Sequence, residues 1–156
     1  MRHVRATYAL RRLPLLCLLV LPLFGGMLRA QNDTVAVIAH AEVPAESISG
    51  REAFDFYSGD IRSWPNGMPV VVMDLKPRGP VKDTFYDFLG KSAARMKSIW
   101  LKKMLSGEGD PPQTVEDERK LVEMVARTPG AIGFADRRHV TDSVKVLAVL
   151  PIRTPE

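Results

Sequence analysis

The run Asp74-Leu75-Lys76-Pro77-Arg78-Gly79-Pro80-Val81-Lys82-Asp83-Thr84-Phe85 concentrates residue types suited to holding an anion. An apolar strand, PVVVMDL, leads into a tight loop, and the loop opens a helix. That geometry leaves backbone N–H groups without intrahelical partners beyond the strand's end, and the helix dipole adds partial positive charge there. Lys76, Arg78 and Lys82 bring full charges. An arginine can meet a tetrahedral oxyanion with paired donors. The chemistry implied is capture of phosphate, sulfate or a carboxylate. The competing reading is structural: Gly79 and Pro80 shape a turn and the basic side chains are solvated. Pro80 also removes one N–H from any cradle.

Other chemistries find less support. The chain has one cysteine, Cys17, which lies in an apolar N-terminal run. Beyond residue 30 the histidines are His40 and His139, too far apart in sequence for a zinc motif. No nucleophile-elbow pattern occurs, and no cofactor motif is present. We therefore expect a binding protein without a metal or cofactor, not an enzyme. An exported hydrolase using His40 or His139 beside a carboxylate is a weaker alternative. Trp64 and Trp100 can stack on a ligand, but Trp100 falls on an apolar helical stripe and both read as core. The acids Glu116 to Glu118 suit a helix N-terminus. Arg137, Arg138 and His139 form a small basic turn, read as a surface loop.

The elements that must position the loop follow from periodicity. Thr34 to Ala41 is a buried strand. Ser49 and Glu52 form a capping box for a short helix to about Tyr57, closed at Gly59. Trp64-Pro65-Asn66-Gly67 is a turn. Pro69 to Leu75 is a second strand, apolar enough to be buried on both faces. Val81, Phe85, Phe88 and Leu89 make one stripe on a helix that Gly90 stops. Ser92 caps the next helix, with Met96, Ile99, Trp100 and Met104 on one face. Thr114 is expected to cap a third, with Leu121, Val122 and Val125 inward. Strands Ala131 to Phe134 and Ser143 to Leu150 complete the order β-α-β-α-α-α-β-β. That order implies an α/β domain with a mostly parallel or mixed sheet flanked by helices.

Residues 1–30 read as an export signal. Arg2, Arg5, Arg11 and Arg12 precede the apolar run Leu13 to Phe24, with small residues at Gly25, Gly26 and Ala30. The run is short for a membrane anchor and contains Pro14 and Pro22. A lipid anchor at Cys17 is disfavoured, because Leu16 stands where a small residue is needed. The expectation is a periplasmic protein of residues 31–156, one domain in size. Five of the 22 basic residues, and none of the 18 acidic ones, lie in the first thirty, so the remainder carries a net charge of −1. The basic balance of the whole chain is thus no argument for nucleic-acid binding.

Two stretches carry a resemblance. Ser49-Gly50-Arg51-Glu52-Ala53-Phe54-Asp55-Phe56-Tyr57-Ser58-Gly59-Asp60-Ile61-Arg62-Ser63-Trp64 resembles a segment of phosphate-importer substrate-binding proteins, a short helix ending in a Phe- and Gly-containing turn before a Trp. Pro129-Gly130-Ala131-Ile132-Gly133-Phe134 is similar to that family's Gly-Ala-Ile-Gly-aromatic strand. The resemblance spans about residues 35–150 and implies a single lobe of a type II periplasmic binding protein. It also implies an oxyanion held at a helix N-terminus, where the family carries Gly-Ser-Gly-Thr. Alignment on Phe85 places Arg78, Gly79, Pro80 and Val81 there. The family's serine and threonine are thus replaced by Gly79 and Val81. The implied ligand-binding residues are Lys76, Arg78, Gly79, Lys82 and Thr84. The implied partners are phosphate or a similar small oxyanion and a membrane transporter or periplasmic protein. A homodimer would be one way to complete the site. The alternative is an interaction or sensory module that kept the lobe and lost the ligand, leaving an exposed apolar patch.

Overall fold

The computed structural model describes residues 33–152, so the export signal expected over residues 1–30 lies outside the described residues. Strand β1 spans Thr34–His40, helix α1 Gly50–Tyr57, β2 Val71–Leu75, α2 Pro80–Phe88 and α3 Ala93–Leu105. Then come β3 (Gln113–Val115), α4 (Glu118–Arg127), β4 (Ala131–Asp136), a 3-10 turn (Arg137–His139) and β5 (Val144–Pro151). The five strands form one mixed sheet in the order β3-β2-β4-β1-β5. β2 runs parallel to β3 and β4, whereas β1 runs antiparallel to β4 and β5. The sheet is therefore evenly mixed, not mostly parallel. Its antiparallel half comes from β1, which lies between the two last strands and buries Val35 to Ala39 completely.

Two expectations need correction. Gln113–Val115 is a short edge strand, and Thr114 sits in it. The residue that caps α4 is Asp117, whose side chain accepts from the Lys120 N–H. A three-residue strand is too short to show a period, and an Asp three residues later offers the same cap chemistry. The capping box at Ser49 and Glu52 is present as expected, with Ser49 N–H donating to Glu52 at 2.9 Å. Pro80 occupies the first turn of α2, where its missing N–H costs no intrahelical bond.

Successive residues of a strand face opposite sides of the sheet. Phe134 meets Phe85 of α2 in a stack with centroids 4.0 Å apart, and Tyr57 of α1 packs on Phe85 at 4.7 Å. Gly133, one residue earlier, faces α4: a Cβ there would lie 2.6 Å from Leu121. Gly130 adopts φ +78, and a Cβ there would fall 2.1 Å from the Pro69 carbonyl. Its own carbonyl accepts from the Trp64 indole at 2.9 Å and from Val71 N–H at 3.1 Å. Trp64 is thus core, and its indole ties the turn before β2 to the turn before β4.

At the end of β4, the buried Asp136 accepts from Arg138 side chain and backbone. The Arg138 bond holds its carboxyl below the ordinary aspartate value. A depressed folded value stabilises the fold above the unfolded aspartate range, and this contribution is lost as pH falls through the folded value. Asp136→Asn is expected to cost about 1–3 kcal/mol at neutral pH. Urea midpoints measured from pH 7 down to pH 3 should show a smaller acid loss in the variant than in the parent.

Candidate functional site

The loop that joins β2 to α2 closes over the carboxyl end of the sheet's parallel half. Gly79 is the N-cap of α2 and supplies no side chain to cap it. The first N–H groups of the helix, at Val81 and Lys82, are left for other partners. They open on a cleft of about 690 Å³ lined by Arg78, Gly79, Pro80, Val81, Lys82, His139 and the start of α4. Arg78 is exposed, and it makes none of the side-chain hydrogen bonds or ion pairs found among the described residues. It is a cation available to a ligand at this helix end, and Arg119, which lines the same cleft, is another without a side-chain partner among the described residues.

The other basic residues of the loop have partners. Lys76 donates to Glu116 at 2.9 Å across the β2–β3 edge, and that contact raises its pKa. Lys82 turns inward: its Nζ donates to Asp74 Oδ2 at 2.9 Å and to the Leu75 carbonyl. Tyr86, one turn later, donates to the same Oδ2 at 2.8 Å. Burial and the Asp74 charge push the Tyr86 hydroxyl pKa upward, so it stays a donor at any physiological pH. Thr84 lies on the far side of α2, in a depression with Asp87, Phe88, Leu150 and Pro151. The structure therefore brings Arg78, Gly79 and the backbone of Lys82 together. It engages Lys76 and the Lys82 ammonium in ion pairs, and it sets Thr84 apart.

The opposite wall is acidic. Glu116, Asp117 and Glu118 line the cleft, and each has a local task. Glu116 meets Lys76, Asp117 caps α4, and Glu118 accepts from the Asp136 N–H. Arg119 and His139 stand among them. Over the whole lining, Arg78, Lys82 and Arg119 balance these three carboxylates in number.

Residues that sequence reasoning missed lie behind the loop. Asp74 is 7% exposed, and its Oδ1 has no hydrogen-bond partner. An aspartate inside VVMDL reads as a strand end, and the only sequence signal for its role was a charge in an otherwise apolar run. Trp100 is half-buried: its indole donates to the Tyr57 carbonyl at 2.9 Å, and its ring covers Gly59. Of the stripe expected on α3, Met96 is buried, but Met104 is 48% exposed. Leu101 and Leu105 are exposed at 53% and 82%.

No family model and no curated protein matches the chain. Solved structures do. A phosphate ABC transporter substrate-binding protein from Clostridium perfringens, crystallised with bound phosphate, superposes with a TM-score of 0.60 at 22% identity. The match covers 74% of this chain and 44% of that one. An ABC-type phosphate transport receptor from Vibrio cholerae gives a TM-score of 0.58 at 15% identity, over 74% of this chain and 45% of that one. The chain spans less than half the length of either neighbour. Residues 33–152 thus share their α/β fold with a part of these phosphate-transport substrate-binding structures.

Proposed function

We propose that this protein binds phosphate or a similar small oxyanion at the N-terminus of α2, outside the cytoplasm, as half of a site that a second lobe completes. The observation that carries this reading is the side-chain-free cap at Gly79, with exposed Arg78 beside it at the carboxyl end of β2. Helix N-termini at that place in an α/β sheet are suited to anions. The donors are the Val81 and Lys82 N–H groups and the Arg78 guanidinium. Lys82 and Asp74 hold the loop in place from behind. The second lobe would come from a transporter, another periplasmic protein or a second copy. The likeness to phosphate-binding structures supports the ligand class. The solved structures it resembles are transport substrate-binding proteins, which supports reading this protein as not an enzyme.

Calorimetric titration of residues 31–156 with phosphate, then sulfate and acetate, tests this. Phosphate is expected to bind, and Arg78→Ala to weaken it about tenfold or more, since a charge-assisted bond is lost. Absence of heat and of thermal stabilisation with all three anions would overturn the reading.

One observation favours a second reading, an interaction or sensory module. Leu101, Met104 and Leu105 leave an apolar face on α3 without cover from the described residues. Failure of every anion, with association of the chain through that face, would establish it.

A further inference from the structure

Helix α3 has a second face, turned away from the sheet. Residues three and four apart lie together on a helix, which groups Lys97, Leu101, Met104 and Leu105. All four are exposed, and Leu105 projects furthest, at 82%. Arg95 and Lys102 run along one side of this ridge, and α3 contains no acid. Lys103 is turned inward to Asp60 at 2.6 Å. Arg95, Lys97 and Lys102 are exposed and make no side-chain hydrogen bond or ion pair among the described residues. An apolar ridge edged by unpaired cations fits a surface that is both apolar and acidic.

The chain itself carries such a surface. An open depression of about 840 Å³ lies between α2 and β5. Phe88, Leu150 and Pro151 give it an apolar lining, and Asp83 and Asp87 stand beside them. The two aspartates are exposed, lie one turn apart on α2 and have no side-chain partner among the described residues. The ridge projects where the depression recedes, so shape and charge are complementary together. The nearly balanced charge of residues 31–156 leaves little repulsion between copies. A patch that fits a pocket elsewhere on the same molecule is a route to self-association. None of these residues lines the cleft at the start of α2, so the contact is separate from the anion site and does not complete it.

We propose that the outer face of α3 docks into the α2–β5 depression of a second copy of this chain. Leu105 and Leu101 enter the apolar lining, and Lys97 and Lys102 meet Asp83 and Asp87.

The test is sedimentation velocity of the purified chain from micromolar to millimolar concentration. The mass is expected to rise with concentration, and added salt to weaken the association. Lys97→Glu with Lys102→Glu, and separately Asp83→Lys with Asp87→Lys, should each weaken it about tenfold or more, because like charges then face one another. A chain carrying all four changes should associate again, since the pairs are restored with their signs exchanged. Leu105→Ser alters an exposed residue and no charge; it should weaken association about tenfold, which keeps the test open if a charge reversal disturbs folding. Arg78→Ala should leave association unchanged, so loss of the anion site and loss of this contact are distinguishable. A monomer at every concentration, association that the reversals leave unchanged, or a fourfold variant that stays apart would each overturn the proposal. A monomeric chain that sediments with phosphatidylglycerol vesicles through α3 would also overturn it, and would assign the ridge to an anionic bilayer.

Discussion

Lys82→Met is expected to destabilise the protein by about 3–5 kcal/mol, far more than loss of a ligand contact would. The physical cause is the partner left behind. Lys82 and Asp74 side chains are 12% and 9% exposed, with Nζ and Oδ2 2.9 Å apart. Removing the cation strands a carboxylate that already has one unpartnered oxygen. The remaining donor, Tyr86, is neutral and cannot replace the charge. Replacing both partners with apolar residues of similar size removes the stranded charge, so Lys82→Met with Asp74→Leu should recover much of the loss. Urea denaturation of the two single variants and the double variant measures the coupling directly. Additive losses would mean that the pair contributes nothing as a pair. The same series separates two roles for Lys82. A ligand contact predicts weakened phosphate binding with unchanged stability, whereas the structure predicts lost stability.

Phe85→Ala is expected to cost a further large amount, about 3–5 kcal/mol. Phe85 is fully buried and stacks on Phe134 at 4.0 Å, with Tyr57 tilted against it at 4.7 Å. Tyr57 cannot move into the vacated space freely, since its hydroxyl is bonded to the Met73 carbonyl. The cavity would therefore persist. Phe85 also fixes α2 against the sheet, nearly two turns below the Gly79 cap, so the variant should weaken phosphate binding as well as stability. Thermal melts give the first effect and calorimetry the second. Phe85→Leu, which keeps most of the volume, should restore most of both. A small loss for Phe85→Ala would show that α2 is held mainly by its loop.

The elements were largely legible because their signals are local. Apolar runs and periodicity located four of the five strands and three of the helices, and the Ser49–Glu52 pair located α1. A helix cap depends on four residues in a row, and a stripe on ten, so the sequence carries both. The short edge strand Gln113–Val115 was not legible, because three residues have no period and pairing with β2 alone defines it. Sheet order was not legible for a related reason. Nothing in TVAVIAH says that its neighbours will be β4 and β5 and both antiparallel.

The site divides in the same way. Sequence alone determined that a strand, a tight loop and a helix start occur together at residues 74–85, with Arg78 and Gly79 in the loop; that Gly79 is the cap came from the structure. Only the tertiary structure decided which charges face outward. Lys76, Arg78 and Lys82 are equal as basic residues in the loop, yet Glu116 lies 40 residues away from Lys76 and still pairs with it. Lys82 is drawn inward because Asp74, on the adjacent strand end, is buried and needs a cation. Thr84 is carried to the far side of α2 by helical rotation. The availability of a charged side chain depends on what the fold places beside it. Residues distant along the chain set that, and for this protein they leave Arg78 as the loop's cation for a ligand.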